Sequence, residues 1–147
     1  MYRHILVPTD GSETAEKAVT AGIDYAQEAG ARVLFFTALP EYRVPSEAEL
    51  MAKHALPLRE YERQSREAAS AILDKVASRA RQANIPFETE YALSDRPAAA
   101  IVDAARKHGC DAIFMATHGR TGWSALLHGS ETHDVLVGSD IPTLVYR

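Results

Sequence analysis

The feature that most constrains this chain is a repeated alternation. Short apolar runs, each stopped by a turn residue, take turns with longer stretches whose apolar residues recur at helical spacing. Ile5-Leu6-Val7 ends at Pro8, and Arg32 to Ala38 forms a second run apolar enough to be buried on both faces. Phe87 to Leu93, Ala112 to Met115 and Thr143 to Arg147 supply three more. Between them, Ala15, Ala18, Val19, Gly22, Ala26 and Ala29 repeat at the period of a helix that Gly30 closes. The order is β-α-β-α-β-α-β-α-β. Right-handed crossovers turn such an order into a doubly wound α/β fold, with five parallel strands and helices on both faces.

The remaining helices follow the same logic. Leu58, Tyr61, Ser65, Ala68, Ala69, Ile72, Val76, Ala80 and Ala83 form one stripe of a long helix, which Asn84-Ile85-Pro86 ends. Asp95 is expected to cap the next, with Pro97 in its first turn. On that helix Ile101, Ala104, Ala105 and His108 should face inward, and Gly109 should close it. A short helix is expected from Ser130 to about Val137. From Leu39 to Pro57 the pattern dissolves around Pro40, Pro45 and Pro57, apart from a turn or two at Glu47 to Ala52. A connection that long in a compact domain is often a lid or a mobile segment.

At 147 residues the chain reads as one domain spanning 1–147, large enough to bury about 70% of its unfolded surface. A net charge of −4, from 16 basic and 20 acidic residues, argues against a nucleic-acid footprint. The basic residues Arg59, Arg63, Arg66, Arg79 and Arg81 are interleaved with Glu60, Glu62 and Glu67, as on a solvated helix face. Cys110 stands alone before an apolar strand, which suits a buried thiol in a reducing compartment. No apolar run has the length of about 20 residues that a membrane span needs. A cytoplasmic protein with no membrane partner is expected.

Open α/β sheets bind ligands beyond the C-terminal ends of their strands, where strand order reverses. For the order 3-2-1-4-5 that point lies between the first and fourth strands. Two polar loops should meet there: Pro8-Thr9-Asp10-Gly11-Ser12, and the stretch from Ala116 to Ser130. The second reads A-T-H-G-R-T-G-W-S-A-L-L-H-G-S. A strand, a glycine-punctuated loop and a helix N-terminus together favour an anion. Glycine lets the backbone approach it closely, and the first helical N–H groups have no partner within the helix. Neither G-x-x-x-x-G-K-[ST] nor G-x-G-x-x-G is present.

V-P-T-D-G-S after the first strand, M-A-T-H-G-R-T-G and H-G-S after the fourth, and the closing I-P-T-L-V-Y-R resemble the universal stress protein family over the full chain. The resemblance implies a Rossmann-like fold similar to the adenine nucleotide alpha hydrolases. Its ATP-binding branch is marked by G-2x-G-9x-G-[ST]. On this sequence the second glycine is Gly119, the spacers are Arg120 to His128, and Gly129-Ser130 closes the motif. The first position is Ala116, a departure that costs little at negative φ and on the order of 1 kcal/mol at positive φ.

By the same resemblance, Asp10 would accept hydrogen bonds from a ribose hydroxyl or the adenine edge. Pro8, Thr9 and Ala38 would line the adenine slot, with the main chain of Ala38 reading the base. Ala116, Thr117, His118, Gly119, Arg120, Thr121 and Gly122 would wrap ribose and phosphates. Gly129, Ser130, Glu131 and Thr132 would hold the terminal phosphates, with Mg²⁺ offsetting the Glu131 charge. The ligand would be ATP, with AMP and ADP as alternatives. Asp10 and Ser130 also read as helix caps, with Ser12 the other candidate to cap the first helix. His128, His133 and Asp134 match no established metal spacing, and Trp123 reads as packing or a partner contact. Fast hydrolysis needs a positioned water, a cation and usually a metal, and Arg120 is the one obvious candidate cation. A dimeric switch with at most slow ATP hydrolysis is therefore expected, paired through Thr143 to Arg147. The alternatives are a dimeric interaction module that binds no nucleotide, and an enzyme on a similar sheet.

Overall fold

The computed structural model describes residues 1–116 and 139–146. Its elements run β1 (His4–Pro8), α1 (Glu13–Ala29), β2 (Arg32–Leu39), α2 (Glu47–Met51), α3 (Leu58–Gln82), β3 (Phe87–Leu93), α4 (Pro97–Lys107), β4 (Ala112–Ala116) and β5 (Thr143–Tyr146). The five strands form one parallel sheet in the order β3-β2-β1-β4-β5. The expected topology is the observed one.

All five residues of β1 are buried, because a central strand has helices over both faces. Its residues alternate between two apolar cores. Ile5 and Val7 join Val33, Phe35 and Phe114 under α1 and α3, where Val19, Ile23, Leu73 and Val76 meet them. Leu6 points the other way, with Leu34, Phe36 and Ile113 against Ile101 and Ala105 of α4. Gly22 lets α1 sit close to β1: a β-carbon there would lie 2.7 Å from Val7 Cγ2.

Helix ends explain most of the departures from expectation. At α1 either Ser12 or Asp10 could cap, and Ser12 does, its hydroxyl accepting the Ala15 N–H at 3.1 Å. Arg96 occupies the cap position of α4 and its side chain does not cap the helix; Pro97 follows it as expected. Asp95 instead accepts the Glu41 N–H at 3.0 Å, because the linker passes over it. His108 lies at the C-cap of α4, half-buried, where the helix has already ended. On α3, Leu58 and Ala68 are exposed, whereas Leu73 and Ala77 are buried. Leu58 is the first residue of α3 and is 49% exposed, and farther along the buried stripe shifts from Ile72 to Leu73 and takes in Ala77.

The linker has its own structure. Ser46 and Glu49 form a capping box at α2, with Ser46 Oγ accepting the Glu49 N–H and Glu49 Oε2 accepting the Ser46 N–H. Tyr42 donates its hydroxyl to the Leu56 carbonyl at 2.7 Å, and Tyr61 donates to the Pro40 carbonyl. The expected helix at Ser130 to Val137, and Arg147, lie outside the described residues.

Candidate functional site

β1 and β4 end within about a residue of each other, and β2 between β1 and β3 runs on past them to Leu39. β1 pairs with β2 from His4↔Arg32 to Pro8↔Phe36, and with β4 at Ile5↔Ala112 and Leu6↔Ile113. Carried forward, those registers bring Asp10 level with Ala38 and Thr9 level with Ala116. The last rung between β1 and β2 is the Thr9 N–H donating to the Phe36 carbonyl at 2.8 Å. Parallel ladders alternate sides along a strand. Val33 donates to Pro86, and Leu39 accepts from Ser94, so these residues face β3. Ala38 therefore directs its N–H and C=O toward the β1 side, one step beyond the last rung.

The β1–α1 loop is shaped by its own side chains. Thr9 is fully buried, and its Oγ1 accepts the Gly11 N–H at 3.2 Å. Asp10 is half-buried, and its Oδ1 accepts the Ser12 N–H at 2.9 Å, an Asx turn rather than a cap. Gly11 has φ +80 with Ile72 of α3 beneath it, so the turn needs a residue without a side chain. Beside this end of the sheet, a cavity of about 400 Å³ opens under the linker between Pro40, Tyr42, Arg43, His54 and Tyr61.

Of the residues proposed from sequence, the structure places five. Pro8 and Thr9 are buried at the end of β1, Asp10 and Ala38 are half-buried beside them, and Ala116 is the half-buried last residue of β4. Ala116 pairs with Tyr146 of β5. It is not among the described non-glycine residues of positive φ, which are Lys53 and Asn84. Thr117, His118, Gly119, Arg120, Thr121, Gly122, Gly129, Ser130, Glu131 and Thr132 lie outside the described residues, as do Trp123, His128, His133 and Asp134. Among the described residues no group of three or more metal-ligating side chains could hold an ion.

Sequence reasoning passed over a second polar cluster at the opposite end of the sheet. Asp111 accepts the Arg3 N–H at 2.9 Å and the His4 N–H at 3.0 Å. His108 lies between Glu88 and Glu90 of β3. The spacing of those two glutamates, on one face of a strand, was the available signal. Burial lowers the pKa of His4, with Arg32 adding to the effect, and the His4 Nδ1 has no hydrogen-bond partner. Burial likewise pushes the Cys110 thiol up to about 12, which keeps it protonated and inert.

Comparison with known proteins puts this geometry in context. A model of the universal stress protein family matches residues 1–147. A universal stress protein of Thermus aquaticus is 31% identical over 150 residues, covering all of both chains. The solved structure of MJ0577, from Methanocaldococcus jannaschii, superposes with a TM-score of 0.73 at 27% identity, over 99% of this chain and 96% of that one. A universal stress protein of Archaeoglobus fulgidus, solved in complex with dAMP, shares the fold at a TM-score of 0.66 and 20% identity, over 99% and 98% of the two chains.

Proposed function

Because the chain belongs to the universal stress protein family, we propose that it binds an adenine nucleotide where β1, β2 and β4 end, as one domain spanning 1–147. The observation that carries this reading is the main chain of Ala38, whose N–H and C=O face that gap beyond the last rung of the ladder. A donor and an acceptor side by side on an extended strand match the adjacent acceptor and donor of an adenine edge. Asp10, level with Ala38, supplies a carboxylate for a ribose hydroxyl. The Archaeoglobus fulgidus neighbour with dAMP supports an adenine nucleotide as the ligand class.

Within that class ATP is our choice, with phosphates on the Ala116 to Thr132 stretch. Mg²⁺ would arrive with the phosphates and neutralise part of their charge. The protein would act as a stress-response switch, with at most slow hydrolysis. It would be a homodimer through β5, which is an edge strand with Val145 46% exposed. An exposed strand edge invites pairing across a two-fold axis. Light scattering on the intact chain and on Val145→Pro tests this. A monomeric intact chain at tens of micromolar, or a folded and dimeric variant, overturns the interface.

Isothermal titration with ATP and Mg²⁺ tests the site, with one nucleotide expected per chain. Absence of heat at millimolar ATP, together with unchanged hydrogen exchange at Thr9 to Ser12, overturns it. That outcome in a chain that is still dimeric would instead favour an interaction module that binds no nucleotide.

A further inference from the structure

The linker between β2 and α3 folds back on itself around its cavity of about 400 Å³, a volume within the range of small-molecule sites. Hydrogen bonds brace the walls. Tyr42 donates its hydroxyl to the Leu56 carbonyl at 2.7 Å, and Tyr61 donates to the Pro40 carbonyl. The Glu41 N–H is held by Asp95 at 3.0 Å, and the capping box of Ser46 and Glu49 fixes the turn into α2. A cavity held from several sides is formed before any ligand arrives, so little ordering is left to oppose binding.

What these walls can bind is decided by where their protons go. A tyrosine hydroxyl has one proton to donate. Tyr42 and Tyr61 both direct it at main-chain carbonyls, so lone pairs and ring faces are what remain to them. Their rings form a corner, with centroids 5.4 Å apart and planes inclined by 53°. Glu41 and Glu49 add carboxylates to the lining. Hydrogen bonds from the Ser46 N–H and from Arg43 hold the Glu49 carboxyl down to about 2, so it stays ionised. Two basic residues share the lining. Arg43 is taken up by Glu49 Oε1 at 2.7 Å, and His54 is exposed, where water screens it. Glu41 is exposed too, and its carboxylate has no partner among the described residues.

We infer that the linker cavity binds a small organic cation, an ammonium group on a short apolar stem. The ammonium brings three N–H donors to walls rich in acceptors, and its charge meets the face of a tyrosine ring. The stem lies against Pro40, Pro45 and Leu56, which line the same cavity. A carboxylate of equal length brings only acceptors, and the corresponding alcohol brings one donor and no charge. The site uses none of the residues of the proposed nucleotide site, and it stands or falls independently of it.

The test titrates the full chain, without nucleotide and at constant chloride, with pentylammonium, 1-pentanol and pentanoate in turn, and follows the ring resonances of its tyrosines. Pentylammonium should shift the Tyr42 and Tyr61 rings saturably in the millimolar range, which suits so small a ligand. The rings of Tyr2 and Tyr25 should not follow. 1-Pentanol should bind about threefold more weakly, the equivalent of one exposed cation–π contact, and pentanoate more weakly still. Tyr42→Leu should abolish the saturable shift at Tyr61. Glu41→Gln, which changes an exposed side chain and leaves both tyrosine bonds in place, should weaken pentylammonium about twofold to threefold. Absence of a saturable shift at either ring overturns the assignment. So does an alcohol or a carboxylate that binds as well as the ammonium, or an affinity that Glu41→Gln leaves unchanged.

Discussion

Two aspartates at opposite ends of the sheet accept backbone N–H groups, yet they reach very different distances along the chain. Asp111, entering β4, takes the N–H groups of Arg3 and His4, more than 100 residues away in sequence. Asp10, leaving β1, takes the N–H of Ser12, two residues on. The first fastens two strands to each other where they begin. The second shapes a loop where strands end, leaving the main chain of Ala38 facing the gap beside it. One end of the sheet uses its polar groups to hold the fold, and the other presents them.

The sharpest way to break that contrast is Asp10→Ala. Removing a charged acceptor from the site should weaken nucleotide binding by about 1–3 kcal/mol, read by isothermal titration. The melting temperature should move little, because Ser12 caps α1 and remains. A variant that melts early but binds normally would put Asp10 in the same structural role as Asp111.

The converse substitution is Asp111→Ala. It strips two N–H groups of a charged acceptor and should cost about 1.5–2 kcal/mol of stability in urea titrations, at the low end for charged bonds because the carboxylate is exposed. Nucleotide affinity of the folded variant should be unchanged, since the strand ends lie on the far side. A fall in affinity would show that the two ends are coupled.

Acid should act on the same end. Burial lowers the His4 pKa in the folded chain below its unfolded value of 6.5. The unfolded chain then binds the proton more readily, so the stabilisation is full above about pH 6.5 and is lost as the pH falls. Urea midpoints should therefore drop between about pH 7.5 and 5, and His4→Phe should reduce that drop. An equal drop in the variant would assign the acid sensitivity to other groups.

Strand order was legible because β1 and β2 are unbroken apolar runs, and only a central parallel strand is buried that way. The switch-point loops followed from the order alone. Helix ends were less legible, since Ser12, Asp10 and Asp95 are all good caps and only the tertiary path of the linker selects among them. Asp95 is claimed by Glu41, which lies 54 residues earlier. The contact between His108 and Glu90 escaped for the same reason: a C-cap histidine gains its partner from another element.

The smallest expected effect concerns Ala116, which by resemblance would stand at the first glycine of G-2x-G-9x-G-[ST] in the proposed nucleotide site. Alanine is a liability there if the backbone must enter the left-handed region or if a methyl obstructs the ribose. The first condition is absent: Ala116 is paired within β4, and its φ is not positive. Ala116→Gly should therefore remove a favourable strand residue and cost about 0.5–1 kcal/mol of stability. Nucleotide affinity should change by less than about threefold, under 1 kcal/mol. A gain of tenfold or more would show instead that the methyl stands in the ligand's way. The C-terminal end of this sheet would then hold the nucleotide site of its family in a form that the chain has partly closed.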